Sequence, residues 1–230
     1  GGTRIVYDAL RRGEIDAYPE YTGTLVQEIF ADRDGVSDDR LPELLAEHGL
    51  RMTLPLGFNN SYGLAVKRET AERLSLQTIE DLAAHPTLRL GLSNEFIDRR
   101  DGWRNLRKHY GLMHQDVSGR VHDLAYLHLE AGIVDVIEVY TTDAEIEKLD
   151  LVVLEDNLHY FPRYDAVVLY RTTLGHDEPE LVERFADLAG QISTDEMIEL
   201  NADVKLRGIS RSLAAATVLK EQFKLDADVK

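Results

Sequence analysis

The stretch GEIDAYPEYTGT, residues 13–24, decides the fold of this chain. An apolar helical face precedes it and ends at Gly13, and the residues that follow predict a short strand that gives way to a helix. In an open α/β sheet, ligands bind just past the carboxyl end of a strand. Two tyrosines and a small hydroxyl pair stand at this junction, so the stretch is predicted to form one wall of a ligand pocket.

Composition limits the possible functions. The chain has 230 residues, 43% of them apolar, which is enough core for one large domain or two small ones. Its 26 basic and 42 acidic side chains give a net charge of −16, which repels phosphates, so no nucleic-acid partner is expected. No apolar run approaches the roughly 20 residues that span a bilayer. With no cysteine, a disulfide and a thiolate nucleophile are excluded.

Segments with helical and strand periodicity alternate along the chain, which predicts an α/β protein with βα units and parallel sheets. Strands are predicted at 63–67, 88–92, 134–140, 151–154 and 166–170. The last third is predicted to be helical from Pro179 onward and to pack back on an earlier part of the chain.

Motifs for catalysis and metal binding are missing from the sequence. It contains no G-x-S-x-G, no glycine-rich phosphate loop and no HExxH. Asp16 and Glu20 form a conceivable pair of carboxylates for acid and base chemistry, but they are better interpreted as turn residues. His122 and His128 lack the spacing of three or four that places two ligands on one helical face. Neither an enzyme nor a metal or cofactor site is predicted.

Four further segments follow residues 13–24 in order: FNNSYGLAV (58–66), EFIDRRDG (95–102), VYTTD (139–143) and LEDNLHYFPRY (154–164). In this order the five segments resemble the substrate-binding proteins of ABC importers for betaine, choline, carnitine and related compatible solutes. The resemblance implies a two-lobed type II periplasmic-binding-protein fold. Each lobe of that α/β fold has a central sheet flanked by helices, and the ligand binds in the cleft.

By the same resemblance, lobe one comprises residues 1–65 and 169–230, and lobe two comprises residues 66–168. Two hinge strands, at 62–68 and 164–171, connect the lobes. Family members normally have a strand, a helix and a second strand before the segment that opens this chain. Without that unit, lobe one is expected to expose a sheet edge, and we expect either weakened ligand binding or a compensating oligomer that forms through this edge.

A quaternary ammonium explains the clustering of tyrosines in these segments. It carries a full positive charge but no N–H, so aromatic faces or carboxylates must replace its water. The alternative for each ring is a buried tyrosine whose hydroxyl is satisfied. By resemblance, the family's aromatic cage corresponds to Tyr21, Tyr62, Tyr140 and Tyr164.

Charged residues are candidates for both ends of a betaine. The planar fork of Arg99 can hold a carboxylate through two bonds, and it matches the arginine of the family's EF..R.DG segment. Alternatively, Arg99 pairs with Asp98 or Asp101 and fixes a loop. Asp16 is a candidate for negative potential near the ammonium, or for a turn-forming residue.

Four polar residues are candidates to donate hydrogen bonds to ligand oxygens: Thr22, Asn59, Asn60 and Thr142. Each is equally suited to capping a turn. The sequence as a whole predicts a periplasmic or otherwise extracytoplasmic binding protein, with or without a membrane anchor, that delivers a quaternary-ammonium solute to an ABC permease. The alternative is a binding or sensing domain for ergothioneine or another trimethylammonium compound, separate from a permease or fused to it.

Overall fold

The computed structural model describes residues 2–33 and 35–223, so residues 224–230 of the predicted lobe one lie outside the described residues. The strands are β1 (Ala17–Tyr21), β2 (Leu50–Met52), β3 (Tyr62–Lys67), β4 (Leu90–Ser93), β5 (Val117–Arg120), β6 (Val136–Tyr140), β7 (Leu151–Leu154) and β8 (Ala166–Arg171). The α-helices are α1 (Gly2–Arg12), α2 (Thr22–Thr24), α3 (Leu41–Glu47), α4 (Arg68–Leu74), α5 (Asn94–Asp98), α6 (Trp103–His109), α7 (His122–Glu130), α8 (Glu145–Lys148), α9 (Leu174–Asp177), α10 (Pro179–Asp187), α11 (Thr194–Lys205) and α12 (Arg211–Phe223). A π-helical turn lies at Leu25–Ile29, and 3-10 turns lie at Asp38–Arg40 and Glu80–Ala84.

The strands form two sheets. The smaller has the order β1-β8-β2, with both pairs antiparallel, and the larger has the order β5-β4-β6-β3-β7. In the larger sheet β4 pairs in parallel with β5 and β6, whereas β3 is antiparallel to β6 and β7. The expectation of parallel sheets is therefore correct only around β4. The antiparallel pairs all involve β3 or β8, the strands through which the chain enters one sheet from the other.

Two connecting segments, 53–61 and 155–165, join the sheets. They run side by side, because Asn59 and Asp165 form an antiparallel bridge and the backbone N–H of Asn60 donates to the carbonyl of Tyr164 at 3.0 Å. The backbone N–H of Tyr164 also donates to the Asn59 side chain at 2.6 Å. The two connecting segments are thus hydrogen-bonded to each other where they pass between the sheets.

The sheets divide the chain a few residues away from the predicted lobe boundaries. β3 lies wholly in the larger sheet and β8 wholly in the smaller one, so the changes of sheet fall within 53–61 and 155–165. Movement of the two sheets as separate lobes stays a prediction.

β8 is buried on both faces, which explains its unbroken apolar sequence AVVLY. On one face, Val167 and Leu169 pack in a core that includes Leu10 of α1. On the other, Val168 packs in a cluster that includes Phe185 of α10. The C-terminal helices therefore pack back on the first sheet, as the sequence predicts.

β3 plays the corresponding part in the larger sheet. Leu64 and Val66 point into one core and Ala65 into another beside α7, so successive side chains alternate between faces. At its first residue, Tyr62 stands directly opposite Tyr140 of β6. The strand register thus brings together two of the predicted cage residues, which are far apart in sequence.

Within residues 2–33 and 35–223, no helix has the length and apolar character needed to cross a bilayer. Among the described strands, β1 and β2 hold the outer positions of the smaller sheet. The predicted oligomer through an edge of this sheet stays a prediction.

Candidate functional site

A cavity of about 270 Å³ lies between the two sheets and contains all four predicted cage tyrosines. β1 of the smaller sheet contributes Glu20 and Tyr21, whereas β3 and β6 of the larger sheet contribute Tyr62 and Tyr140. Tyr164 comes from the second connecting segment. The remaining wall residues are Thr3, Thr24, Asn60, Glu95 and Arg99. Its volume is near the lower end of the range for small-molecule sites, about 300 to 1,000 Å³.

The rings on the larger-sheet side form a tight cluster. The ring centroid of Tyr62 lies 5.3 Å from that of Tyr140 and 5.6 Å from that of Tyr164, the second pair being nearly perpendicular. Burial raises the pKa of Tyr140 to about 12, and it also raises the pKa values of Tyr62 and Tyr164. These side chains are therefore neutral phenols at physiological pH, and the face of a neutral phenol ring is electron-rich.

Arg99 lines the cavity but is already engaged. Its Nε and Nη2 donate to the Asp101 carboxylate at 2.8 and 2.7 Å, and Asp101 also accepts a hydrogen bond from the Tyr164 hydroxyl. The Arg99 guanidinium lies 5.4 Å from the centroid of the Tyr62 ring. Burial opposes its charge, but the Asp101 bonds raise the pKa of Arg99 above its ordinary value. The pairing with Asp101 is the loop-fixing alternative from the sequence, whereas contact of Arg99 with a ligand carboxylate stays a prediction.

Glu20 is a cavity residue that the sequence interpretation assigned to a turn. Glu20 is only 6% exposed. Its carboxylate accepts hydrogen bonds from the Tyr21 backbone N–H at 2.9 Å and from the Tyr18 hydroxyl at 3.2 Å. Burial raises the pKa of Glu20. Both donors are neutral, and the positive charge of Arg99 partly offsets the effect of burial, so a bound cation beside the tyrosines would further stabilise the ionised carboxylate.

The structure does not bring Asp16 to this cavity. Its side chain is 61% exposed and forms an ion pair with Arg171. A strand rises about 3.3 Å per residue, so the five residues of β1 separate Asp16 from the junction after Tyr21 by about 16 Å. The sequence suggested Asp16 as the source of negative charge near the tyrosines, but Glu20 holds that position in the structure.

Thr22 and Asn59 are not among the residues that line the cavity. Their side chains form hydrogen bonds with the backbone around Tyr164. The Thr22 hydroxyl donates to the Arg163 carbonyl at 3.3 Å and accepts from the Asp165 backbone N–H at 3.2 Å. Asn59 accepts from the backbone of Tyr164. Both side chains therefore fix the segment that carries Tyr164.

Asn60 and Thr142 lie together near the cavity. The Thr142 hydroxyl donates to Asn60 Oδ1 at 2.8 Å, and its carbonyl accepts from the Asn201 side chain at 2.9 Å. Asn60 lines the tyrosine cavity, whereas Thr142 lines an adjoining cavity of about 400 Å³. Contact of these two residues with a ligand stays a prediction.

Two adjoining cavities extend the site. The first, of about 340 Å³, shares Thr3, Glu95 and Arg99 with the tyrosine cavity. The second is the cavity of about 400 Å³, which shares Tyr21, Asn60 and Tyr140. The tyrosine cavity therefore has a neighbouring cavity on each side.

Histidines 122 and 128 have separate partners. His122 contacts the carboxylates of Glu138 and Asp143, and His128 Nδ1 lies 2.7 Å from Arg120 Nη1. In the described part of the chain, no group of three or more His, Asp or Glu side chains is placed to hold a metal ion.

Gly23 is required by the close approach of the turn after β1 to Tyr164. A Cβ at this position would lie 2.6 Å from both the Arg163 carbonyl oxygen and a ring carbon of Tyr164. We therefore expect Gly23→Ala to displace Tyr164 and to lower the free energy of unfolding by about 1 to 3 kcal/mol, the usual cost of overpacking.

Urea unfolding measures this loss. Gly2→Ala is the control, because nothing lies within 4 Å of a Cβ at that position. Equal stabilities for the Gly23→Ala variant and the unmodified chain contradict the close approach.

Comparisons with known proteins agree with this geometry. Residues 1–221 match a family described as the substrate-binding domain of ABC-type glycine betaine transport systems, OpuAC. A glycine-betaine-binding protein of Pseudomonas aeruginosa is 31% identical over 241 residues, which cover 98% of this chain and 78% of the relative. A crystal structure of a glycine betaine/carnitine/choline ABC transporter protein has a TM-score of 0.76 and 29% identity, over 97% of this chain and 85% of the other.

A protein of Helicobacter pylori (strain G27), described as an ergothioneine transport permease and ergothioneine-binding protein, is 32% identical over 226 residues. The match covers 96% of this chain but only 40% of that relative's length. The structural similarity confirms the type II periplasmic-binding-protein fold. By its sequence and its two-sheet architecture, the chain belongs to the OpuAC family of substrate-binding domains of ABC-type glycine betaine transport systems.

Proposed function

We propose that this chain captures a small quaternary-ammonium solute, such as glycine betaine, choline or carnitine, and delivers it to an ABC permease. One observation carries the proposal: four tyrosines and the Glu20 carboxylate, drawn from both sheets and the crossing between them, surround a single cavity. Aromatic faces and a buried carboxylate are the groups that replace the water around a cation without N–H donors. The cage selects the head group, and the adjoining cavities select the tail.

The affinity that such a site requires is within reach of these contacts. A desolvated cation-π contact contributes about 2 kcal/mol. Several contacts, after the cost of immobilising the ligand, are enough for the roughly −8 kcal/mol of a micromolar complex. Because the walls come from both sheets, a bound cation favours the state in which the sheets are closed over it.

The family consists of substrate-binding transport proteins and not of enzymes. Substrate-binding proteins of ABC importers act outside the cytoplasm, so we place this chain in the periplasm or at the outer face of the membrane. An anchor or a fused permease is compatible with this placement.

A thermal-shift screen tests the proposal. We expect glycine betaine, choline and carnitine to raise the melting temperature, because a ligand at about 100 times its dissociation constant adds about 2.7 kcal/mol to stability. Glycine is the matched control, since it differs from glycine betaine only in lacking the three methyl groups. An equal shift with glycine contradicts a cage for methylated ammonium.

A trimethylammonium ligand with a larger tail, such as ergothioneine, is the second candidate. The cavity of about 400 Å³ beyond Tyr21 and Tyr140 favours it, because that cavity is lined by polar side chains suited to a heteroaromatic tail. A larger melting shift with ergothioneine than with glycine betaine at equal concentration supports this candidate. The reverse order supports a compact solute.

A further inference from the structure

His122 lies in stacking contact with one of the cage tyrosines. It is the first residue of α7, and its ring centroid is 4.3 Å from that of Tyr140, with an angle of 33° between the ring planes. His122 lines the second cavity, whereas Tyr140 lines both that cavity and the tyrosine cavity. The Tyr140 ring therefore separates His122 from the space that the cage encloses.

Both ring nitrogens of His122 meet carboxylates. Nδ1 lies 3.1 Å from Glu138 Oε1, and Nε2 lies 2.9 Å from Asp143 Oδ2. Only the imidazolium form can donate from both nitrogens at once. Burial disfavours this charge, but the two hydrogen bonds outweigh burial and raise the pKa of His122 to about 9. At neutral pH a fixed cation thus lies behind Tyr140.

Asp143 and Lys205 stay charged, and Tyr126 and Tyr140 stay neutral, between about pH 7.5 and about pH 10. Although Asp143 is buried, hydrogen bonds from His122 and Tyr126 lower its pKa. Burial raises the pKa of Tyr126 and raises that of Tyr140 to about 12. Burial opposes the charge of Lys205, but Asp143 and Glu145 raise its pKa. The charged and titratable groups that face His122 from the surrounding elements are Asp123, Tyr126, Glu138, Tyr140, Asp143, Glu145 and Lys205.

We infer that His122 controls the affinity of the cage for a cation, because its imidazolium repels the bound ammonium through the Tyr140 ring. This inference rests on the proposed function. Binding a proton at His122 and binding a cation in the cage then oppose each other. By thermodynamic reciprocity, the ligand must favour release of the His122 proton by the same factor by which that proton weakens the ligand.

The size of the effect follows from distance. His122 is 4.3 Å from the Tyr140 ring. A cation on the other face lies within about 6 Å of the ring, so the two charges are about 8 to 10 Å apart. With an effective dielectric constant of about 20, the full repulsion at that distance corresponds to about a 20-fold change in affinity, or slightly more than one pKa unit.

Calorimetric titration with choline tests the inference, because the charge of choline is constant over this range. We expect the unmodified chain to bind choline about tenfold more tightly at about pH 10 than at about pH 7.5. The His122→Gln variant should show no such change. His176, an exposed histidine of α9, provides the control, and His176→Gln should follow the unmodified chain. A purely structural role for His122 lowers affinity equally at both pH values and overturns the inference.

A second measurement avoids dependence on the variant's folding. An NMR titration of the histidine ring carbons of the unmodified chain, with and without choline, should show the pKa of His122 falling by about one unit when choline is bound. An unchanged pKa with choline bound overturns the inference and leaves the proposed function intact. Absence of choline binding at every pH refutes both for this ligand class.

Discussion

Replacing Tyr140 by alanine is expected to weaken choline binding about 30-fold, whereas phenylalanine is expected to change it little. Loss of a desolvated cation-π contact costs about 2 kcal/mol, which corresponds to that factor. Phenylalanine keeps the ring face and its packing against Tyr62 at a centroid distance of 5.3 Å. The alanine variant also loses the partner on which His122 stacks.

Calorimetry with choline measures both variants. Tyr170→Ala is the matched control, because Tyr170 is another buried tyrosine that packs against Phe185 and does not line the tyrosine cavity. It should lower the melting temperature without weakening choline. Equal losses for Tyr140→Phe and Tyr140→Ala assign the affinity to the hydroxyl and contradict a cage of ring faces.

The structure distinguishes Tyr164 from Tyr140 in this respect. The Tyr164 hydroxyl donates to Asp101, the carboxylate that holds Arg99. Removing that donor leaves a buried carboxylate with fewer hydrogen bonds, which costs about 1 to 3 kcal/mol. The sequence gives no reason to distinguish the two tyrosines, but the structure predicts that Tyr164→Phe costs more than Tyr140→Phe, because the Tyr164 hydroxyl donates to a buried carboxylate.

Glu20→Gln is expected to have opposite effects on the empty and the loaded protein. The glutamine can keep the contacts with the Tyr21 backbone and the Tyr18 hydroxyl. Burial raises the pKa of Glu20, so its ionised carboxylate destabilises the folded chain. Glutamine removes this charge, and the ligand-free variant should therefore melt at a higher temperature. A cation about 5 Å away loses about 3 kcal/mol of attraction at an effective dielectric constant of about 20, so choline should bind about 100-fold more weakly.

The raised pKa of Glu20 also predicts how stability and choline affinity change with pH. Because the folded-state pKa of Glu20 is raised above its unfolded value, stability from this group increases as pH falls through the folded pKa. Choline affinity should decrease over the same interval, since the attracting charge is lost. Glu14→Gln, an exposed change of equal charge, is the control and should alter neither property appreciably. Full choline affinity in the Glu20→Gln variant contradicts the role of Glu20.

The architecture and the convergence of the tyrosines were predictable from the sequence, and for a physical reason. Tyr21, Tyr62 and Tyr140 are terminal residues of β1, β3 and β6, and Tyr164 lies two residues before β8. In open α/β sheets, ligands bind beside such strand ends. The family assignment and the two-lobed α/β fold predicted from the five segments are confirmed. Direct contact between these tyrosines and a ligand stays a prediction.

Strand pairing was less accessible from the sequence. β1 pairs with β8, about 150 residues later in the chain, and no local pattern encodes that partner or its direction. β5 was missed because its sequence VSGR is short and contains a glycine and two polar residues. The pairing of β1 with β8 accompanies a placement of Glu20 at the cavity and of Asp16 outside it, which the local sequence could not reveal.

The burial of the cage tyrosines has a consequence at high salt concentration. At an electrolyte concentration of about 1 M the Debye length is only about 3 Å, so the overall charge of −16 no longer attracts cations from a distance. Tyr62 and Tyr164 are only 8% and 2% exposed, so dissolved ions have little access to their faces. High salt is therefore expected to slow the association of a cationic solute while leaving the strength of its contacts with the cage tyrosines nearly unchanged.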